Sequence, residues 1–311
     1  MTFFPISPKR IERDFINAEQ ILRACDVVWS TDRRADIKPE PDRIRPASIV
    51  YAKADHYIPL FHQLRRARSR VVLVTSESDF TITQEVARCR PLQVAEWFSA
   101  NTLDDSVRPI PLGLGNSYYG VTLKPSLLAQ HAGDGAERSR LLYVNFRPST
   151  NEPVRGPIMH HFQSLAAGDW LTVRTGEVAN EVFARELTSH RFALCPPGNG
   201  IDTHRMWEAL YGGTIPIVLK NPALREFADL PILFVDDFRM VTSPFLEAHY
   251  RRMAEASWNW EKLFIGWWSD RFRAASMGLH QGGARLGVGE FCLRVLSAGW
   301  KSLASRGNHA V

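Results

Sequence analysis

Phe192-Ala193-Leu194-Cys195-Pro196-Pro197-Gly198-Asn199-Gly200-Ile201-Asp202-Thr203-His204-Arg205-Met206-Trp207-Glu208-Ala209-Leu210-Tyr211-Gly212-Gly213-Thr214-Ile215-Pro216-Ile217-Val218 is the stretch from which the fold is read. It divides into an apolar strand, a loop of Pro, Gly and Asn, a helix over 203–212 and a second strand. Asp202 or Thr203 stands at the N-cap position, where a side-chain oxygen accepts from the first turn. Gly198 and Gly200 permit close approach to the backbone, and the open N–H groups of a helix start attract negative charge. Arg205, one turn in, adds a planar guanidinium fork suited to an anion. Gly212-Gly213 ends the helix and lets it pack close to the sheet.

The same alternation extends outward. Upstream, Leu141 to Phe146 reads as a strand, followed by a helix near 157–167, a strand over 171–174 and a helix over 178–188; downstream a strand spans 231–235. Nearer the N-terminus, Asp26 to Ser30 and Ser48 to Tyr51 read as buried strands. Ile58, Phe61 and Leu64 have helical spacing, and Arg70 to Thr75 is the clearest strand. Phe80 to Arg88 reads as a short helix, and Ala95 to Ser99 and Val107 to Pro111 as two further strands. Gln130 to Arg140 is polar and Gly-rich and reads as a linker. The rhythm predicts an α/β protein of two Rossmann-like domains, 1–135 and 136–311, hinged near residue 135.

Composition narrows the classes. A chain of 311 residues is long for one compact core, which favours two domains. Lys and Arg total 38 against 33 Asp and Glu, a net charge of +5. That mild excess suits a small anionic ligand and lacks the long basic tail of a nucleic-acid binder, so no nucleic-acid partner is expected. The basic run from Arg65 to Arg70 falls where a helix hands over to a strand and reads as a solvated helix end. Cys25, Cys89, Cys195 and Cys292 form no C-x-x-C pair, which argues against a disulfide framework or zinc knuckle and fits a reducing compartment. The first residues run into Lys9, Arg10 and Glu12 without an apolar core, and no stretch approaches the ~18 apolar residues of a membrane span. A cytoplasmic, soluble protein is expected, with peripheral contact at the inner face of a membrane left open.

The segment from Phe192 to Val218 resembles the nucleotide-sugar-binding motif of GT-B glycosyltransferases, the exostosin-like family above all: a strand ending in a Pro-Gly loop, a helix bearing Arg and Glu, small residues, and a strand with Pro. The resemblance implies two Rossmann-like domains facing each other across a cleft. It also implies transfer of a sugar from a nucleotide-diphosphate donor to a saccharide or lipid-linked acceptor hydroxyl, with inversion and without a metal or other cofactor. Gly198, Asn199, Gly200, Asp202, Thr203 and Arg205 would then hold the donor diphosphate. Glu208, three residues beyond Arg205, would accept from the ribose hydroxyls. In a second stretch, Val144 to Asn151, Arg147 matches the Arg-bearing loop that lies against the donor phosphates, with Asn151 and Arg155 as further donor-side candidates.

An inverting transferase needs a carboxylate base on the acceptor side. Glu77 and Asp79 follow the clearest strand and both qualify; Asp55-His56 is a competing position. Glu96 to Asn101 and Ile110 to Asn116 are expected to shape loops or touch the acceptor. Plainer readings stand beside these. Arg205 and Glu208 alone would be an i,i+3 surface pair worth about 0.2–0.5 kcal/mol. Cys195 reads as a buried thiol, His160, His161 and His204 lack metal-ligand partners, and Asp236-Asp237 reads as a cap or loop pair. Trp258, Trp260, Phe264, Trp267 and Trp268 are expected on one helix, packed in the core. A last helix near 288–304 is expected to pack back on the first domain, followed by a frayed tail from Arg306 to Val311. The rival reading is a non-catalytic nucleotide- or glycan-binding protein of the same fold. A sulfotransferase is disfavoured, because Asp26 to Asp36 offers no basic phosphosulfate loop.

Overall fold

The computed structural model describes residues 4–119, 122–133, 138–166 and 168–286. Two short helices, α1 (Pro8–Asp14) and α2 (Ala18–Arg23), precede the first sheet. That sheet holds β1 (Val27–Val28), β2 (Ile49–Lys53), β3 (Val71–Ser76), β4 (Val94–Ser99) and β5 (Arg108–Pro109), with α3 (Tyr57–Arg65) and α4 (Gln84–Arg88) between strands. Helix α5 (Pro125–Gly133) leads to the second sheet, made of β6 (Arg140–Asn145), β7 (Leu171–Arg174), β8 (His190–Leu194), β9 (Ile215–Leu219) and β10 (Leu233–Val235). Its crossovers include α6 (Glu152–Ser164), α7 (Asn180–Ser189) and α8 (His204–Tyr211); α9 (Ser243–Glu255) and α10 (Ile265–Gly282) follow.

Both sheets are parallel throughout, and their central strands are nearly continuous apolar runs, as burial on both faces requires. In β3, Val71 and Leu73 face Leu60, Phe61 and Leu64 of α3, while Val72 and Val74 join the side covered by Phe272 and Leu279 of α10. The first sheet runs β1 to β5 in chain order, whereas the second runs β10-β9-β8-β6-β7. In the second sheet the order reverses between β6 and β8, so the loops leaving those two strands open the crevice where ligands gather. The two halves share one apolar cluster. It joins Ile16 and Tyr51 of the first half to Leu128 of α5, Leu187 of α7 and Trp207 of α8.

Two expectations change. Gln130 to Gly133 belong to helix α5, because Leu128 and Ala129 are fully buried beneath the chain and carry the helix past the polar stretch. The expected hinge near residue 135 lies outside the described residues, as do the expected helix near 288–304 and the tail. The tryptophan cluster does not occupy one helix. Trp258 lies in a loop against α9 and donates to Met253 O, Trp260 opens a 3-10 turn, and Phe264 caps α10, which carries Trp267 and Trp268. The break is held by Lys262, whose buried ammonium donates to Glu226 O and to Asp229 Oδ1 at 2.7 Å. Core packing is nonetheless the role of Phe264 and Trp268, each 2% exposed. Asp236 pairs with Lys220 at 2.9 Å and Asp237 caps the turn at Phe238–Met240, as the cap-or-loop reading expects.

Candidate active site

The strand C-termini of both halves meet at a cleft with two lobes. The smaller, about 330 Å³, is walled by Asp79 and Leu112 from the first half, by Arg147, Thr150 and Arg155 after β6, and by Gly198 to Glu208 around the start of α8. The larger, about 740 Å³, shares Phe146, Arg147, His204, Arg205 and Glu208 and extends along Thr122, Leu123, residues 175–180 and Phe183.

Helix α8 is placed by its apolar face, with Met206, Trp207, Ala209, Leu210 and Tyr211 all buried. Its polar face, carrying His204, Arg205 and Glu208, is thereby turned to the cleft. Thr203 holds the N-cap position in extended backbone and its side chain makes no capping bond; Met206 N donates to Thr203 O, while the amides of His204 and Arg205 stay open to a ligand. The Arg205 guanidinium lies 3.9 Å over the Phe183 ring, and its Nη1 stands 3.4 Å from Glu208 Oε2 without hydrogen-bond geometry. The two side chains are 22% and 15% exposed, so the pair is not the solvated surface pair of the plain reading. Arg147 is more open, at 63%, and reaches Glu177 across the larger lobe.

Other donor-side candidates hold the loops in shape. Arg155 is buried and donates to Arg147 O, Pro196 O, Pro197 O and Thr150 Oγ1, so its fork is occupied by protein oxygens. Burial, aided by Arg205, pushes its pKa down to about 10, which leaves it cationic at neutral pH. Asn151 Nδ2 donates to Gly198 O at 3.0 Å. Gly198 and Gly200 are glycines for packing against the protein itself: an added Cβ would stand 2.9 Å from Arg155 Nη2 and from Asn101 Nδ2, respectively. Asn199 lines the smaller lobe. Asp202 is 3% exposed, and its two oxygens accept from Leu112 N and Trp207 Nε1, each at 2.8 Å. Burial pushes this carboxyl up to about 7. It straps the motif loop to the first half.

The acceptor-side candidates part company. Glu77 has left-handed backbone (φ 61°), and its carboxylate accepts from Thr31 Oγ1 at 2.8 Å, Asp32 N at 3.0 Å, Tyr51 Oη and Tyr118 Oη. Three of these bonds fall on Oε2 and one on Oε1, which makes this buried carboxylate a tether for the loops around it. Asp79 is exposed and lines the smaller lobe with Thr203, His204 and Arg205. Asp55 lines neither lobe. The loop-shaping role expected of the other two segments is visible. Asn101 Oδ1 accepts from Asp202 N at 2.8 Å, and Gly113 O accepts from His204 Nδ1 at 2.7 Å.

His204 is the residue that sequence reasoning underweighted. A carbonyl can only accept, so Nδ1 carries a hydrogen and the neutral ring keeps its lone pair on Nε2. Its position directly after the N-cap was a usable signal. Phe146 and Phe183, which line the larger lobe, had none, because an aromatic in an apolar run reads as core. Cys195 is buried with its thiol pushed up to about 12 by burial, in line with an inert structural thiol. Among the described residues no group of three or more His, Cys, Asp or Glu side chains is arranged to hold a metal ion, and no helix is long and apolar enough to cross a membrane.

No family model matches the sequence, and no curated protein matches it. Among solved structures, the chain is similar to an α,α-trehalose-6-phosphate synthase from Burkholderia multivorans, at 11% identity over 78% of this chain and 74% of that one, with a TM-score of 0.42. It is also similar to AviGT4, a glycosyltransferase involved in avilamycin A biosynthesis, at 16% identity over 84% and 78%, with a TM-score of 0.37. At these identities and scores the overlaps assign neither reaction nor ligand to this chain.

Proposed function

We infer that the protein is a glycosyltransferase that moves a sugar from a nucleoside-diphosphate donor to an acceptor hydroxyl with inversion. One observation carries the reading: an open carboxylate from the first half, Asp79, and a cationic helix start from the second half, with His204 and Arg205, wall one lobe of the same cleft. Asp79 takes the proton from the acceptor hydroxyl as that oxygen attacks the anomeric carbon. The bond to the diphosphate breaks on the opposite side, and its growing charge is met by Arg205, Arg147 and the amides that begin α8. Glu208 accepts from the donor ribose. The reading assigns no step to a metal, and a saccharide or lipid-linked hydroxyl is the acceptor it expects.

Two substitutions test it. Arg205→Ala is expected to lower kcat/KM by about two to three orders of magnitude, and Asp79→Asn to lower kcat similarly, each with a wild-type circular dichroism spectrum. Near-normal transfer by either folded variant contradicts its assigned role. Donor binding without transfer or donor hydrolysis by the wild type would favour the non-catalytic binding protein instead.

A further inference from the structure

The end of the first sheet opposite the cleft is a face of arginines. Arg65, Arg66, Arg68 and Arg70 form the corner that leads into β3, while Arg88 and Arg90 lead into β4 and Arg45 into β2. Hydrogen bonds tie these corners to one another. Arg65 Nη2 donates to Cys89 O at 2.7 Å and Gln93 Nε2 to Ala67 O at 2.9 Å. Ser276 of α10 donates to Ala47 O, and Arg70 N donates to Ala284 O, which sets Arg285 against Ser69.

None of these eight arginines is in an ion pair among the described residues. Several donate instead to uncharged oxygens: Arg45 to Asp42 O, Arg70 to Gly283 O, Arg88 to Gln84 Oε1, Arg90 to Ser106 O. Arg66 and Arg68 are exposed. The carboxylates at this end are few. Asp26 accepts from Ile49 N, Glu40 is paired with Arg43 and Asp105 with Arg225, and Asp42, Glu85 and Asp104, beside the Ser106 that Arg90 reaches, remain. The eight arginines exceed the four carboxylates here that are in no ion pair among the described residues, Asp26, Asp42, Glu85 and Asp104, so this end carries a local excess of positive charge. A solvated helix end accounts for Arg65 and Arg88, but not for arginines placed on four different segments.

Two exposed apolar side chains stand among them, Leu92 on the turn into β4 at 38% and Met277 on α10 at 58%. Arg68 and Arg285 also flank a recess of about 450 Å³. We propose that this edge docks the protein on an anionic membrane surface, with the arginine forks on lipid phosphates and Leu92 and Met277 in the interface. A nucleic acid fits less well. The cations spread over a sheet edge instead of lining a groove, and among the described residues no large aromatic side chain is exposed there to stack a base. Docked in this way, the protein presents its cleft away from the bilayer, an orientation that suits a saccharide acceptor in water and not the lipid-linked one.

Sedimentation of the full chain with vesicles tests the proposal without any sugar donor, so its failure is separate from failure of the transferase reading. The protein is expected to pellet with phosphatidylcholine vesicles containing about a third phosphatidylglycerol, to be released by high salt, and to ignore pure phosphatidylcholine. Arg66→Glu with Arg68→Glu is expected to lower partitioning by about tenfold or more. The charge-matched pair Arg185→Glu with Arg251→Glu, exposed on α7 and α9, is expected to leave it unchanged. Equal binding to both vesicle types, equal loss in both double variants, or binding to a duplex oligonucleotide in place of vesicles would overturn the proposal.

Discussion

At the scale of single residues, charge in the cleft is sorted by how much water each group keeps. Asp79 and Arg147 are open, whereas Asp202 and Arg155 are enclosed and occupied by protein partners. Asp202 therefore leaves a signature in the pH dependence of stability. In the fold it keeps its proton up to about 7, while an unfolded Asp loses it near pH 3.9. The unfolded chain thus releases this proton first as pH rises, and the contribution of Asp202, full below about pH 4, is lost by about pH 7. Urea unfolding at pH 4.5 and pH 8 is expected to show wild-type stability falling, relative to Asp202→Asn, by on the order of a few kcal/mol. A pH-independent difference between the two proteins contradicts the buried titration. Glu77 supplies a second contrast. Glu77→Ala strips four donors of their acceptor and is expected to lower the melting temperature, by about 2–4 kcal/mol in stability, whereas Asp79→Asn leaves it unchanged. A normal melting temperature for Glu77→Ala would mean the tether is not needed.

At the scale of elements, the loops are joined at points where no side chain fits. Gly113 has φ 74°, and a Cβ there would overlap the Ile16 carbonyl oxygen, while the Gly113 carbonyl holds His204. Gly113→Ala is expected to cost about 2 kcal/mol or more in denaturant unfolding, and a neutral substitution contradicts the close approach. This contact pairs residues far apart in the chain, which explains why sequence reading missed it. What sequence reading reached was periodic. The strands over 71–76, 171–174 and 215–219 and the helix after Thr203 are apolar patterns bounded by Gly, Pro or polar turns. It missed α1, α2, α5 and α9, whose apolar faces are narrow and whose partners come from distant segments, such as α1 and α7 for α5. The candidate site was legible where it is contiguous, from Gly198 to Glu208. Glu77 and Asp79 could not be separated, since the donors that engage Glu77 lie on three other segments.

At the scale of the whole molecule, the two parallel sheets are joined by a continuous apolar cluster, and Tyr211 of α8 accepts from Ile16 N at 2.9 Å. The halves are thus expected to unfold together. Calorimetry should show one transition whose calorimetric and van't Hoff enthalpies agree, and two resolved transitions contradict a shared core. The central claim is that a nucleoside diphosphate binds where α8 begins. It is tested most directly by thermal shift of the wild type and Arg205→Ala against a panel of nucleoside diphosphates and their sugars. Ligand at about a hundred times Kd adds about 2.7 kcal/mol, so at least one nucleotide should raise the wild-type melting temperature by several degrees while leaving Arg205→Ala unmoved. No shift with any nucleoside diphosphate, or the same shift in both proteins, contradicts the account.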